Sequence, residues 1–214
     1  MERELLSTAG TASRSALRAG LLRPLAIGLA GALAGGLAQR ADSFATWSGD
    51  LTSSLGPWVV AVVLVGLSTP TLRGAAGGAA LFLAASVAGY YLAYAIDITA
   101  APRLIVVAWL LAAVSLGPAV GAGGWLLRNG PPWNALAAGA LGGLLVAEAL
   151  TILGSDLSTT QRAPVAFDLL AASIALIGVV RLSRDARTGA LAASAFGAGA
   201  ALYLGSLWLF RSVL

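Results

Sequence analysis

The feature that most constrains this chain is a succession of long apolar stretches separated by short polar turns. Of its 214 residues, 58% are hydrophobic and only 10% are charged, whereas a soluble domain carries about 25% charged residues. A helix needs roughly 20 apolar residues to cross the hydrocarbon core of a bilayer. Seven such helices with short turns use nearly the whole chain. The sequence therefore predicts an all-α, polytopic transmembrane helical bundle without a separate soluble domain.

The order of apolar and polar segments predicts a cytoplasmic tail at 1–20 and a single transmembrane domain at 21–214. A signal peptide is the rival interpretation of the first apolar stretch, but no convincing small-x-small cleavage site follows Leu25–Leu37. Turns are indicated by polar, Gly and Pro clusters such as "RNGPPWN" at 128–134. The seven predicted spans are about 21–39, 56–71, 74–96, 104–127, 135–153, 164–182 and 189–210.

The arginines predict which way the bundle lies in the membrane. All thirteen basic residues are arginines, and basic residues collect in cytoplasmic loops. With seven spans, nine arginines fall on the side of the N-terminus, and Arg40, Arg103, Arg162 and Arg211 fall on the other. The sequence therefore predicts a cytoplasmic N-terminus, an extracellular C-terminus and a multi-pass location in the bacterial inner (plasma) membrane.

Glycines recur in pairs four residues apart in the first, third and fifth spans. In lipid, such small residues let two helix backbones approach closely. The recurrence, at roughly 50–60 residues along the chain, favours a tightly packed core of odd-numbered spans and hints at an internal duplication of helical hairpins. Chance in an Ala/Gly-rich sequence is the alternative. The predicted packing glycines are Gly31 and Gly35, Gly74 and Gly78, and Gly139 and Gly143.

The absence of histidine and cysteine narrows the chemistry. It excludes His/Cys zinc sites, haem ligation by these residues, and serine–histidine or cysteine–histidine catalysis. We expect no metal and no cofactor. An enzyme would have to rely on carboxylates, so an enzymatic activity is not favoured. The basic composition is explained by topology, and without a basic stripe with interleaved aromatic residues we expect no nucleic-acid partner.

Ionisable residues inside apolar spans are candidates for function because burying a charge in lipid is costly. Glu148 stands in "LVAEALTIL", apolar on both sides, and Asp168 lies about one turn into the sixth span. The stretch "GYYLAYAID" at 89–97 ends the third span. The predicted topology puts all these groups at the extracellular end. The candidate ligand-binding residues are Glu148, Tyr90, Tyr91, Tyr94, Arg103, Asp97 and Asp168.

Two interpretations of this polar end stay open. The tyrosine rings and charged groups line an outward-facing pocket for a small molecule, or the tyrosines form an interfacial belt and the acids pair with arginines or face water. Pro118 in "LGPAVGAGG" predicts an interruption of the fourth span. Such a break is either part of a binding site, as in many transporters, or a plain kink.

Several stretches resemble an uncharacterised family of actinobacterial multi-pass membrane proteins, a domain of unknown function. They are "GLAGALAGGLAQ", "LGPWVVAVVLVG", "GAAGGAALFLAASVAGYYLAY", "LGPAVGAGGWLLR" and "GALGGLLVAEAL", within residues 25–150. This resemblance implies no activity or site residues. In architecture alone the chain is similar to the substrate-binding components of energy-coupling-factor transporters, although seven spans depart from their usual six.

These observations favour a small-molecule binding or transport component with its site near the extracellular ends of spans three to six. The alternative is a structural or interaction subunit of a membrane complex. The expected partners are the lipid bilayer together with a small-molecule ligand, another membrane subunit or a second copy of the chain.

Overall fold

The structure, a computed structural model, describes residues 2–97, 103–154, 162–182 and 185–213. Within these ranges all regular secondary structure is α-helical, which confirms the all-α prediction. The helices are α1 (Glu2–Phe44), α2 (Thr46–Ser53), α3 (Gly56–Ser68), α4 (Leu72–Asp97), α5 (Arg103–Leu127), α6 (Trp133–Leu153), α7 (Arg162–Leu182) and α8 (Ala186–Val213).

The helices form a bundle with two distinct ends. The C-termini of α1, α4, α6 and α8 and the N-termini of α3, α5 and α7 lie together, as contacts such as Tyr90 with Asp42 and Leu55 with Glu148 establish. We name this end the upper end and the opposite one the lower end. The short helix α2 lies at the upper end, where it contacts α1 and α7.

The bundle has the surface of a membrane protein. Five described helices are long and apolar enough to cross a bilayer, namely the part of α1 at Leu21–Phe44, the part of α4 at Leu72–Ala95, then α5, α6 and the Ala186–Trp208 part of α8. Leucines that share one face of α1, such as Leu25, Leu29 and Leu33, are about 60% exposed or more. An apolar exposed face of this extent requires lipid or protein around it.

Helix α3 is shorter than the hydrocarbon core of a typical bilayer, so as a span it would require a locally thinner bilayer. Its 13 residues rise about 20 Å at 1.5 Å per residue, whereas the hydrocarbon core measures about 30 Å. Its lower end is held by side chains: Arg128 donates to the carbonyl of Leu67 at 2.8 Å, and the carbonyl of Pro70 accepts from the indole of Trp125 at 3.2 Å. With its lower end fixed, the N-terminus of α3 lies within the bundle.

Three local features differ from the sequence-based expectations. The helix α1 begins at Glu2, within the predicted tail, and it continues to Phe44, beyond the predicted end of the first span at about residue 39. Most of the remaining loop forms α2. The predicted break at Pro118 is wrong, since α5 continues through it. A proline in a membrane helix is tolerated when neighbouring groups compensate the lost hydrogen bond.

The predicted packing glycines occupy different kinds of position. An added Cβ on Gly31 or Gly35 would meet the backbone of α4, and one on Gly139 or Gly143 would meet the backbone of α8. An added Cβ on Gly78 would meet the side chains of Ile27 and Val65, and one on Gly74 would meet Thr71 in its own turn. Close helix–helix approach therefore occurs at the first and third of the three pairs.

Candidate functional site: a buried acid pair

Two carboxylic acids from neighbouring helices meet inside the upper half of the bundle. Glu148 is in the last turns of α6 and Asp168 is in the second turn of α7, and these helices run antiparallel. Glu148 is 5% exposed and Asp168 is 0% exposed. Their carboxyl groups lie within hydrogen-bonding reach of each other. The structure thus brings together two of the seven predicted ligand-binding residues.

The N-terminus of α3 points at this pair. The backbone N–H of Leu55 donates to Oε1 of Glu148 at 2.5 Å, and the amide of Gly56 also faces Glu148. The first N–H groups of a helix have no partner within the helix, and the helix dipole places partial positive charge there. A carboxylate on Glu148 therefore receives both hydrogen bonds and a favourable electrostatic field from α3.

Gly56 makes room for the second acid. A Cβ atom on this residue would overlap Oδ1 of Asp168 and press on the ring of Phe167. Pro57 follows in the first turn of α3, where its missing N–H costs no helical hydrogen bond. The sequence Leu55–Gly56–Pro57 thus lets an acid approach the start of the helix at close range.

Among the described residues, none donates a hydrogen bond to three of the acceptor oxygens of the pair. In the described part of the chain, Oε2 of Glu148 and both oxygens of Asp168 have no hydrogen-bond donor. The charged group that acts on Asp168 is Glu148 itself. Two adjacent buried carboxylates repel each other unless a proton or a cation lies between them. The arrangement can therefore take up and release a proton, or bind a positively charged group.

The tyrosines of α4 contact a different acid. The hydroxyl of Tyr90 donates to Oδ2 of Asp42 near the end of α1, and the hydroxyl of Thr52 in α2 donates to Oδ1 of the same residue. Tyr91 packs edge-on against Tyr90 with ring centroids 5.2 Å apart and against Tyr94 at 6.2 Å. These three rings pack in a row along α4. Within the described structure, the row makes a polar contact with α1 through the hydroxyl of Tyr90.

The remaining predicted site residues lie at the same end of the bundle. Arg103 is exposed at the start of α5. Asp97 is the last residue of α4, and its side chain lies outside the part of the structure that is described. The described contacts therefore separate a buried acid pair on α6 and α7 from a Tyr90–Asp42 contact between α4 and α1.

Sequence reasoning missed the residues that hold these acids. The "GPW" stretch at 56–58 is a helix-start signal, but nothing in it indicates that the start faces an acid. Asp42 and Thr52 stand in a segment that looks like an exposed loop. Their partners are distant along the chain, since Tyr90 follows Asp42 by 48 residues. In the described residues no group of three His, Cys, Asp or Glu side chains is arranged to hold a metal ion.

The sequence was compared with protein families, curated proteins and solved structures, and it matches a family. The model of a family described as "Family of unknown function (DUF6518)" matches residues 14–212. No curated protein and no solved structure matches the chain. The match includes the acid pair, the glycine pairs and helices α3 to α7. The chain therefore belongs to the DUF6518 family of unknown function.

Proposed function

We propose that this chain is a seven-span protein of the bacterial inner membrane that binds or transports a small molecule in exchange for a proton. The seven spans are the five long apolar helices together with α3 and α7. The excess of arginines on one side supports a cytoplasmic N-terminus. The upper end then faces the cell exterior, and the acid pair lies below that surface.

One observation carries the proton-linked role. Asp168 is fully buried and contacts Glu148, and neither of its oxygens receives a donor from the described protein. An arrangement needed only for stability would be improved by a basic partner or an apolar residue, because an uncompensated buried acid is destabilising. Acids inside membrane domains mark proton relays and ion pathways in general. The proton that the pair requires is the natural exchange partner for a solute.

The chemistry of the free atoms indicates the class of solute. All three unpartnered atoms of the pair are acceptors, so they match a small cation or a group rich in hydrogen-bond donors. An anion would be repelled. When a solute with a positive charge binds, it replaces the shared proton, and the net charge of the site does not change. Proton release and solute binding are thereby linked at Glu148 and Asp168.

The other predicted ligand-binding residues would surround the acid pair without binding the proton themselves. Tyr91, Tyr94, Arg103 and Asp97 lie at the upper end and would line the approach from the outer surface. Tyr90 contacts Asp42 and would hold the upper ends of α1 and α4 together. Exchange should therefore depend most strongly on the acid pair and more weakly on the tyrosines.

Proton exchange is tested in proteoliposomes that contain a trapped pH-sensitive dye. Sodium and potassium, which do not readily cross a protein-free bilayer, are added outside one at a time. We expect at least one of these cations to make the lumen more alkaline, because it enters as protons leave. Glu148→Gln and Asp168→Asn should each abolish the signal, whereas Asp185→Asn, in the lower loop, should keep it. A signal unaffected by both acid-pair substitutions, or no signal with any probe, would contradict the proposal.

A second candidate function, as an interaction subunit, is favoured by an apolar groove. Helices α7 and α8 make few contacts with each other, and a groove of about 440 Å³ opens between them over α6. Its walls include Gly139, Leu176, Ala192 and Phe196. Small residues on a lipid-facing groove suit a helix from a partner or a second copy. A concentration-dependent dimer that Ala193→Phe, at an exposed position of the groove wall, disrupts would support this role.

A further inference from the structure

Contacts between helices divide the bundle into two groups. The first body comprises α1 to α5, and the second comprises α6 to α8. Within the first body α4 packs extensively against α1 and α5, and within the second α6 packs extensively against α7 and α8. Between the bodies the contacts are sparse, and they involve mainly α5 with α6, and α2 and α3 with α7. The boundary is therefore less tightly packed than the contacts of α4 with α1 and α5 or the contacts of α6 with α7 and α8.

A set of glycine contacts makes the core of the first body rigid. An added Cβ on Gly31 would strike the carbonyl oxygen of Phe82, one on Gly35 that of Ser86, and one on Gly89 that of Ala32. At these positions α1 and α4 touch backbone to backbone. Close backbone packing of this kind leaves little room for the two helices to slide or rotate.

The same contacts recur in the second body at the same spacing along both helices. In α6, Gly139 lies against the carbonyl of Ala192 and Gly143 against that of Phe196, and Gly199 of α8 lies against the carbonyl of Ala140. The stretches at 24–37 and 132–145 also agree at Pro, Ala, Gly-Ala-Leu, Gly and Leu positions in the same order. The helix pairs α1/α4 and α6/α8 are therefore duplicates of one rigid unit.

The acid pair lies where the two bodies meet. Both acids belong to the second body, on α6 and α7, and the amides that face them belong to the first body, at the start of α3. Below them, Val59 of α3 packs in a cluster whose other buried members are Leu141, Leu144, Leu145 and Ala172, all from the second body. Separation of the bodies would remove the amides from Glu148 and expose Asp168.

We infer that the boundary between the bodies is a joint that opens and closes access to the acid pair. The inference rests on the proposed function for the role of the pair, but the joint is defined by the packing. When the shared proton leaves, the pair carries a second buried negative charge, and the hydration that this charge requires favours an opening that admits water. When a proton or a cation lies between the acids again, this requirement falls and the two bodies close. Transporters built from duplicated units commonly work by such relative motion around a central site.

Two valines on α3 give a matched test of the joint. Val59 is 4% exposed and faces the second body, whereas Val62 is 1% exposed and packs with Ala79 and Phe82 of α4, inside the first body. The chain has no cysteine, so Val59→Cys and Val62→Cys each introduce a single thiol. The thiols are exposed to a charged, membrane-impermeant methanethiosulfonate in proteoliposomes, with and without Asp168→Asn.

We expect Val59→Cys to react about 10-fold faster than Val62→Cys. Asp168→Asn prevents the second buried charge and supplies a donor to Glu148, so it should slow the reaction at position 59 several-fold and leave position 62 unchanged. Ala172→Cys, on the opposite wall of the joint, should follow Val59→Cys and provides a second reporter if that variant folds poorly. Equal rates at 59 and 62, or rates at 59 and 172 that Asp168→Asn does not change, would overturn the inference.

The outcomes separate the joint from the proposed function. Proton exchange that requires Glu148 and Asp168, together with protected thiols at 59 and 172, would retain the function and refute the joint. Reactive thiols that respond to Asp168→Asn, without any proton exchange, would retain the joint and refute the function.

Discussion

The carboxyl group of Asp168 occupies the space that a side chain on residue 56 would need. Gly56 thereby allows a fully buried acid to lie against the first turn of α3, beside Glu148. The contact joins two helices that are distant along the chain, and it places an acceptor-rich group where the helix offers positive charge. The relationship explains how an otherwise unfavourable acid pair is accommodated inside an apolar bundle.

Gly56→Ala tests whether this close approach matters for activity. The added methyl group overlaps Asp168 Oδ1, so the carboxyl group must move away from Glu148. We expect proton exchange in the dye assay to fall at least about 10-fold, while the protein remains folded. Gly77→Ala is the matched control, since nothing lies within 4 Å of a Cβ at this position in α4. Equal exchange by the two variants would show that the approach of residue 56 to Asp168 is not needed.

Tyr90→Phe tests the hydrogen bond between α4 and α1. The substitution removes the hydroxyl that donates to Asp42 and keeps the ring. A hydrogen bond to a charged acceptor contributes about 1.5–3 kcal/mol, and less when it is partly exposed, so we expect a loss of about 1 kcal/mol in unfolding free energy. Thermal unfolding in detergent measures this loss of stability. Tyr91→Phe, which removes a neighbouring hydroxyl, serves as the comparison. A Tyr91→Phe variant that is as destabilised as Tyr90→Phe would argue against a specific role for the Asp42 contact.

Gly143→Ala tests the rigidity of the duplicated unit. The new methyl group meets the carbonyl of Phe196, so α6 and α8 must separate. Overpacking of this kind costs about 1–3 kcal/mol, and we expect a lower unfolding temperature. Gly178→Ala serves as control because a Cβ there has no neighbour within 4 Å, and alanine favours the helix. Gly35→Ala should behave like Gly143→Ala; a neutral effect at both positions would contradict the assigned packing.

The hydrogen bond of Asp185 at the lower end of the bundle should make the stability of the protein depend on pH. Its carboxylate accepts the backbone N–H of Thr188 at 2.6 Å at the start of α8, and this hydrogen bond holds the pKa of Asp185 below its usual range. Because the pKa is lower in the folded state, ionised Asp185 stabilises the folded protein at any pH above its unfolded-state pKa. This stabilisation is lost as the pH falls through its folded-state pKa. We therefore expect the unfolding temperatures of native protein and Asp185→Ala to differ near neutral pH and to converge as the pH falls below the ordinary pKa of an aspartate, 3.8. If the difference in unfolding temperature between the two proteins does not change with pH, the ionised carboxylate of Asp185 is not its cause.

The sequence allowed the helices to be predicted because lipid imposes a simple length and polarity requirement on them. The predicted span at 104–127 matches α5, which runs from Arg103 to Leu127, and the prediction at 135–153 matches α6 closely. The end of α1 and the helix α2 were not predicted. Their polar residues resemble a loop, and their stability comes from tertiary hydrogen bonds such as that from Thr52 to Asp42.

The candidate site was only partly predictable. Glu148 stood out because a single acid among apolar residues demands a partner, but the sequence favoured tyrosines and Arg103 rather than the start of α3. Its position about one turn into the sixth span does not predict that Asp168 is fully buried. Which acids meet depends on how α6 and α7 pack and on the absence of a side chain at Gly56. The pattern of apolar and polar residues along the chain predicts neither the packing of α6 against α7 nor the approach of Gly56 to an acid.

Infrared spectroscopy of the C=O stretch tests the central claim most directly, because it distinguishes a protonated carboxyl group from a carboxylate. In the native protein near neutral pH, Glu148 and Asp168 should together hold one proton. The difference spectrum between the native protein and the double variant Glu148→Gln/Asp168→Asn should therefore contain one protonated-carboxyl band, which shifts when H₂O is replaced by D₂O. A difference spectrum with carboxylate bands alone would mean that both acids are ionised, and it would contradict the account of a proton-exchanging acid pair.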